Sequence, residues 1–233
     1  MNWINAGFLS AGACIAIASD AAGAIMYILQ ERAVATPAFV AGQPEGGSPI
    51  QSQDFGEFNR TKTHNYSQNR GTATATQLSR LLPESILMNG SASVTGIGFV
   101  VEGEAWSRFD VTFRLSEATA FLIDHSQTSS SSGNGPTRSA VARLSGPSGA
   151  IFSWAEDFNV PNSWPASPFG GLLQAGQYTL QIEARVYRGT QISGSGTNEA
   201  SVAFAFSIPT PITAAFLGLA GMATAARRTR RSG

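Results

Sequence analysis

Three segments of this chain carry a large or apolar side chain at every second position, and that period of two constrains the fold more than any other feature. In Phe109-Asp110-Val111-Thr112-Phe113-Arg114-Leu115 the residues two apart are apolar. Tyr178, Leu180, Ile182, Ala184 and Val186 repeat the pattern, opposed by Thr179, Gln181, Glu183 and Arg185, and Val202, Phe204, Phe206 and Ile208 give a third stripe. Successive side chains of an extended strand point to opposite faces, so each segment is a strand with one apolar face. A helix would scatter the same residues around its axis. Apolar faces of this kind need a facing layer, and a second sheet supplies it.

The remainder of the body reads the same way. No helical period of useful length occurs between Ala24 and Ile208, while β-branched runs recur between Gly, Pro, Asn and Ser. Strands are expected near Ile25 to Val34, Thr72 to Leu78, Ser91 to Val100, Ser107 to Leu115, Ala118 to Asp124, Ser139 to Ser145, Ala150 to Asp157, Gly176 to Arg188 and Ala200 to Ser207. Ser116-Glu117 reads as a tight connection, Ser145 to Gly149 as a hairpin loop and Gln174 to Gln177 as a turn. Pro37 to Ser52 reads as a long surface loop, and Gln127 to Thr137 as a polar loop too poor in apolar groups to pack. No internal repeat suggests a propeller or solenoid. The expectation is an all-β, jelly-roll-like or immunoglobulin-like two-sheet sandwich over residues 25–207. The stretch LLQAGQYTLQIEA resembles a recurring element of jelly-roll domains in exported bacterial proteins.

Composition agrees with an extracellular β protein. Charged residues make up 13% of the chain, against roughly 25% in an average soluble protein. The 15 basic and 15 acidic side chains cancel, so no global field draws the chain to nucleic acid. Nucleotide fingerprints and basic grooves are absent as well. The one cysteine, Cys14, excludes an internal disulfide framework and a cysteine-based zinc cage. It lies within AGFLSAGACIAIA, from Ala6 to Ala18, an apolar run about as long as a signal-peptide core and too short to span a bilayer. Ala16-Ile17-Ala18 and Ala22-Gly23-Ala24 offer small-x-small cleavage sites. Residues 1–24 are therefore expected to be a signal peptide. Cys14 follows small residues as a lipidated cysteine would, but the leucine usual three places upstream is missing.

The other end carries Ile208-Pro209-Thr210-Pro211, an apolar stretch from Ile212 to Ala226, and then Arg227, Arg228, Arg230 and Arg231. As a helix the apolar stretch would reach ~22 Å, short of the ~30 Å hydrocarbon core. Arginines beyond it should stay in the cytoplasm and leave the body outside. Pro209-Thr210-Pro211, TAAFLGLAGMATAA from Thr213 and RRTRR from Arg227 together resemble the PEP-CTERM sorting signal of exported bacterial proteins. The resemblance implies recognition and removal of residues 208–233 by a membrane protease of the exosortase type. It also implies a place at the cell surface or in the extracellular matrix, alongside exopolysaccharide and biofilm. The family's Glu between the prolines is Thr210 here.

Motifs for chemistry are sparse. There is no G-x-S-x-G elbow and no H-E-x-x-H pair. His64 and His125 are the only imidazoles. Asp124-His125 does not suit a catalytic triad, because neighbours on a strand point to opposite faces, and His125 reads as a strand-end histidine facing solvent. Glu102 and Glu104 are the best local pair for glycoside hydrolysis, and read more simply as an acidic turn. Glu156-Asp157 lacks the acidic loop that a calcium site would need. No cofactor, metal or catalytic residue is expected. Exposed aromatic rings can stack on sugars, and Trp154, Phe158, Trp164 and Phe169 fall in one proline-broken stretch. Trp164 and Phe169 are its candidate sugar-binding residues, the plainer reading being that these rings plug the sandwich core. Trp106, at a strand start, reads as core. The chain thus reads as an exported, non-enzymatic surface or matrix protein, with carbohydrate binding to surface polysaccharide as the alternative.

Overall fold

Phe109, Val111, Phe113 and Leu115 are at most 1% exposed, on the inner face of a strand that pairs on both sides. The computed structural model describes residues 24–40, 43–67, 71–97, 101–131, 138–157, 164, 167–188 and 195–209. In chain order the strands are β1 (Met26–Ala35), β2 (Ala38–Val40), β3 (Gln43–Glu45), β4 (Ile50–Ser52), β5 (Phe58–Asn65), β6 (Gly71–Leu82) and β7 (Ser85–Ile97). They continue as β8 (Val101–Leu115), β9 (Thr119–Ser131), β10 (Arg138–Gly146), β11 (Gly149–Asp157), β12 (Phe169–Leu173), β13 (Gly176–Arg188) and β14 (Ser195–Ser207). They form an antiparallel two-sheet sandwich. The first sheet runs β11-β10-β13-β8-β1-β4, with β2 and β3 added beside β8, and the second runs β12-β9-β14-β7-β6-β5.

The last eight strands pair as one long hairpin rolled on itself. β10 pairs β11, β9 pairs β12, β8 pairs β13 and β7 pairs β14, each pair enclosing the one before it. The pairs alternate between sheets, so every consecutive link from β7 to β14 except β10–β11 crosses the sandwich. β1 to β6 widen both sheets, β1 docking on β8 and β6 on β7.

All nine expected strands are present, and the intervals between them hold the differences. Pro37 to Ser52, expected to be a loop, contains β2, β3 and β4. β2 continues the register of β1 along β8, from Ala35↔Trp106 to Ala38↔Gly103. Pro37 has no N–H to give, but its carbonyl accepts from the Glu104 N–H at 2.9 Å. Gly46, at φ 102°, turns the chain where a Cβ would lie 2.0 Å from the Thr36 carbonyl oxygen. Gln127 to Ser131 is strand rather than loop, because β14 pairs with it from Val202↔Gln127 to Asn198↔Ser131. On the β9 side that ladder carries no apolar side chain. Among the described residues no helix is long and apolar enough to cross a membrane. The signal segment and the apolar stretch from Ile212 lie outside the described residues.

The core has two chemically distinct parts. One is aromatic and aliphatic, including Phe109, Phe113, Phe121, Phe152, Trp154, Phe204 and Phe206. The other, around β5, β6 and the adjoining half of β7, is built largely from Ala73, Ala75, Ala92, Ala105 and Ala200 with Val34, Val94 and Val186. Buried polar groups lie on the inner strands too, notably Arg32, Gln77, Ser79 and Ser107. Arg32 sits opposite Phe109 in the β1–β8 register and therefore faces inward. Its guanidinium donates to the Gly56 carbonyl at 2.6 Å and to the Asp54 carbonyl, and lies 5.4 Å from the Phe58 ring centroid. Gln30 donates to the same Asp54 carbonyl. These bonds hold the link that carries the chain from β4 in one sheet to β5 in the other. Burial pushes the Arg32 pKa down to about 10, against the pull of Asp54.

Arg32→Ala should cost about 3 kcal/mol, since it removes the donors of the Asp54 and Gly56 carbonyls and leaves a void where a fully buried side chain stood. Urea denaturation of the two proteins measures this, and a loss below about 1 kcal/mol would show that the clamp contributes little.

Candidate functional site

The chain enters and leaves the sandwich at one place. The turn between β6 and β7 accepts a hydrogen bond at the Pro83 carbonyl from the Ile25 N–H and one at the Glu84 carbonyl from the Ile208 N–H, both 2.8 Å. The Tyr27 hydroxyl lies 2.6 Å from the Leu82 carbonyl and 3.0 Å from that of Ser85, bridging the same turn from β1. Burial raises the Tyr27 pKa, so the phenol stays protonated and able to donate. The β8–β9, β10–β11 and β12–β13 connections share this end, while β5–β6, β7–β8, β9–β10 and β13–β14 connect at the other. Pro209 is the last described residue. Thr210, Pro211, Arg227, Arg228, Arg230 and Arg231 lie outside the described residues.

Trp164 is 8% exposed and its ring is occupied by protein. It meets His125 edge-on at 5.0 Å and Trp154 at 5.6 Å. Phe169 opens β12, is half-buried, and packs edge-on against Trp154 at 5.3 Å and against Phe121 at 6.0 Å. Trp154 is itself stacked on Phe152 at 4.0 Å. Together these rings fill the core between the edges formed by β11 and β12. The buried Trp164 Nε1 has no hydrogen-bond partner. Phe158 is outside the described residues.

The titratable candidates are dispersed. Asp124 is exposed, while His125, expected to face solvent, turns its ring inward onto two tryptophans because it shares the inward register of Phe204. The Ser167 hydroxyl donates to Asp124 Oδ1 at 2.5 Å and accepts from the His125 backbone N–H at 3.1 Å. His64 Nε2 lies 3.1 Å from Glu45 Oε2, which also accepts from the Ser67 N–H. The His64 hydrogen bond leads the causes that hold the Glu45 carboxyl below its usual range. Glu104 pairs with Arg185 at 2.6 Å. The side chains of Glu102, Glu156 and Asp157 are outside the described residues. Among the described residues no group of three His, Cys, Asp or Glu could hold a metal ion.

Trp106 is the aromatic residue that sequence reasoning misplaced. It is half-buried on the outer face of β8, opposite Arg185 on one side and Ala35 on the other. The stripe that buries Phe109 already contains the signal: counted back through Ser107 and Ala105, it sends Trp106 outward with Arg108 and Asp110. Arg108 lies 5.6 Å from the Trp106 ring centroid and forms two bonds to Glu183, at 2.8 and 2.9 Å. The next register row holds Gln181, Asp110 and Glu31. Burial chiefly pushes the Asp110 pKa up to about 6, with Glu31 and Glu183 adding to it and Arg108 and Gln181 opposing. The outer face of the first sheet thus carries the ion pairs Arg108–Glu183 and Arg185–Glu104 beside the acidic neighbours Asp110 and Glu31.

No protein-family model matches the chain, and no curated protein does. Solved structures give faint likenesses. The enzymatically active domain of bacteriophage CBA120 tailspike protein 4 aligns at 10% identity and TM-score 0.19, over 66% of this chain and 19% of that one. The infectious bursal disease virus Gt strain structure aligns at 10% identity and TM-score 0.17, over 82% of this chain and 68% of that one. The Gx strain gives 11% identity, TM-score 0.17 and coverage of 83% and 68%. Likenesses this weak carry no argument.

Asp110 keeps its proton to about pH 6 when folded, whereas an unfolded Asp releases it near 3.9. Between those values the native state binds more protons, so this residue's contribution to stability falls as pH rises and is level above about 6. Asp110→Asn should therefore gain on the wild type from pH 4 to pH 7 and then hold its lead. Denaturation midpoints across that range test this, and a gap that stays constant would contradict it.

Proposed function

We propose that this chain is an exported, non-enzymatic protein of the cell surface or extracellular matrix, a jelly-roll sandwich delivered through a C-terminal sorting signal. The nested pairing of β7 to β14 supports the jelly-roll reading. The observation that carries the delivery reading is the shared exit of both chain ends. With Ile25 and Ile208 bonded to adjacent carbonyls of one turn, removal of a leader and attachment through a tail would act at the same end. The opposite end would then project from the membrane, unobstructed by either terminus.

In this reading Pro209, Thr210 and Pro211 form the segment presented to an exosortase-type membrane protease, directly after the last strand. The apolar stretch holds the chain in the membrane until the cut, and the four arginines keep its far end in the cytoplasm. No cofactor enters this account. Carbohydrate binding is the second reading, favoured by the outer face of the second sheet.

Replacing Arg227, Arg228, Arg230 and Arg231 with Ala should shift the protein among cytoplasmic, membrane and extracellular fractions of its host. Fractionation identical to wild type would count against a sorting tail.

A further inference from the structure

The outer face of the second sheet differs in kind from that of the first. Two adjacent register rows cross it, Asn59–Leu78–Asn89–Ala203–Ser126 and Thr61–Thr76–Ser91–Ser201–Thr128, on β5, β6, β7, β14 and β9 in turn. Neither row contains a charged residue. A depression of about 360 Å³ lies along them, lined by Asn59, Asn89, Thr76, Ser91, Ser126 and Ser201 with Leu78 and Ala203. At about 4.8 Å between strands, the rows run roughly 19 Å from β5 to β9, long enough for a chain of sugars rather than one.

We infer that this trough binds a neutral polysaccharide chain laid across the strands. This rests on the carbohydrate-binding reading and assigns it to a surface that Trp164 and Phe169 do not reach. The hydroxyls are already ordered: Thr76 and Ser91 are 2.6 Å apart, and Thr128 and Ser201 are 2.7 Å apart. Two hydroxyls bonded to each other still offer one hydrogen and several lone pairs, which suits a partner that both donates and accepts. The exposed amides of Asn59 and Asn89 add donors and acceptors on either side of Leu78. Leu78 and Ala203 provide the small apolar ground that the C–H face of a sugar needs.

Charge argues for a neutral ligand. The cation nearest these rows on β6, Arg80, is paired with Glu57 at 2.6 Å. Glu199, in the row beyond Ser201, accepts from Ser130. An acidic polymer would meet no cation among the residues that line the trough, the nearby Arg60 of β5 lying outside them with its guanidinium bonded to the Asn59 carbonyl at 2.8 Å. The first sheet lacks these properties, since its outer face is consumed by Arg108–Glu183 and Arg185–Glu104 pairs.

The test is affinity electrophoresis of the full chain through gels containing dextran, hydroxyethyl cellulose or alginate. At least one neutral polymer should retard the wild type and alginate should not. Asn59→Ala with Asn89→Ala should weaken retention about tenfold, and Ser201→Lys should abolish it, each with an unchanged β-type circular dichroism spectrum. Trp106→Ala, on the opposite face, should bind as wild type does. Retention by alginate alone, by none of the polymers, or with sensitivity to Trp106 and not to the asparagines, overturns the assignment. Failure here leaves the delivery reading intact, because fractionation of the arginine variants reports on that separately.

Discussion

Two β-sheets are held face to face only by the side chains between them, and in this protein the ring of Phe113 is where that contact concentrates. It stacks on Tyr178 at 5.6 Å within its own sheet and meets Phe206 of the other sheet at 5.5 Å. Phe206 in turn stacks on Phe121 at 5.8 Å. These four rings come from β8 and β13, which form one nested pair, and from β14 and β9, one strand each of the pairs on either side of it. The rolled hairpin brings those rings together between the sheets. Once the rings are buried, the alternate residues of the same strands must face outward, and both outer faces become polar.

The same packing explains why the widened part of the sandwich has a different interior. Where β6 and β7 lie beside β14, the inward row is Ala75, Ala92 and Ala200, too small to interlock as the phenyl rings do. Polar groups close the space instead. Ser107 approaches so near that a Cβ on Gly90 would lie 2.7 Å from its hydroxyl, and the Gln77 amide, in its alternative orientation, donates to the Arg108 and Ala33 carbonyls of the facing sheet. Arg32 performs the corresponding task at the crossing between β4 and β5. Polar residues here fasten sheet to sheet where apolar contact is thinnest, at the cost of dehydrating them.

Much of this was legible from the residues, for a physical reason. The strands that build the aromatic core carry period-two stripes because one face must be dry and the other wet. β5 and the far half of β9 carry no such stripe, since their pairing partners rather than their side chains hold them in place, and β12 hides behind Gly170 and Gly171. β2 was concealed by Pro37, which breaks a ladder only on its N–H side. Trp164 and Phe169 shared a loop-like stretch with prolines, and sequence offers no means of telling a ring that plugs a core from one that faces water. The trough residues are Ser, Thr and Asn, ordinary outer-face residues individually. Their property comes from register across five strands, which is set by the fold.

In the proposed reading, the shared exit at Ile25 and Ile208 gives this architecture its functional sense. A domain tied at that end to a membrane tail would present its two polar faces to its surroundings. The most direct measurement is the intact mass of the protein recovered separately from membrane and extracellular fractions of its native host. Loss of both ends, with the C-terminal cut between Pro209 and Pro211 or just beyond, is the result this account predicts. A tail intact through the arginines in every fraction would contradict it.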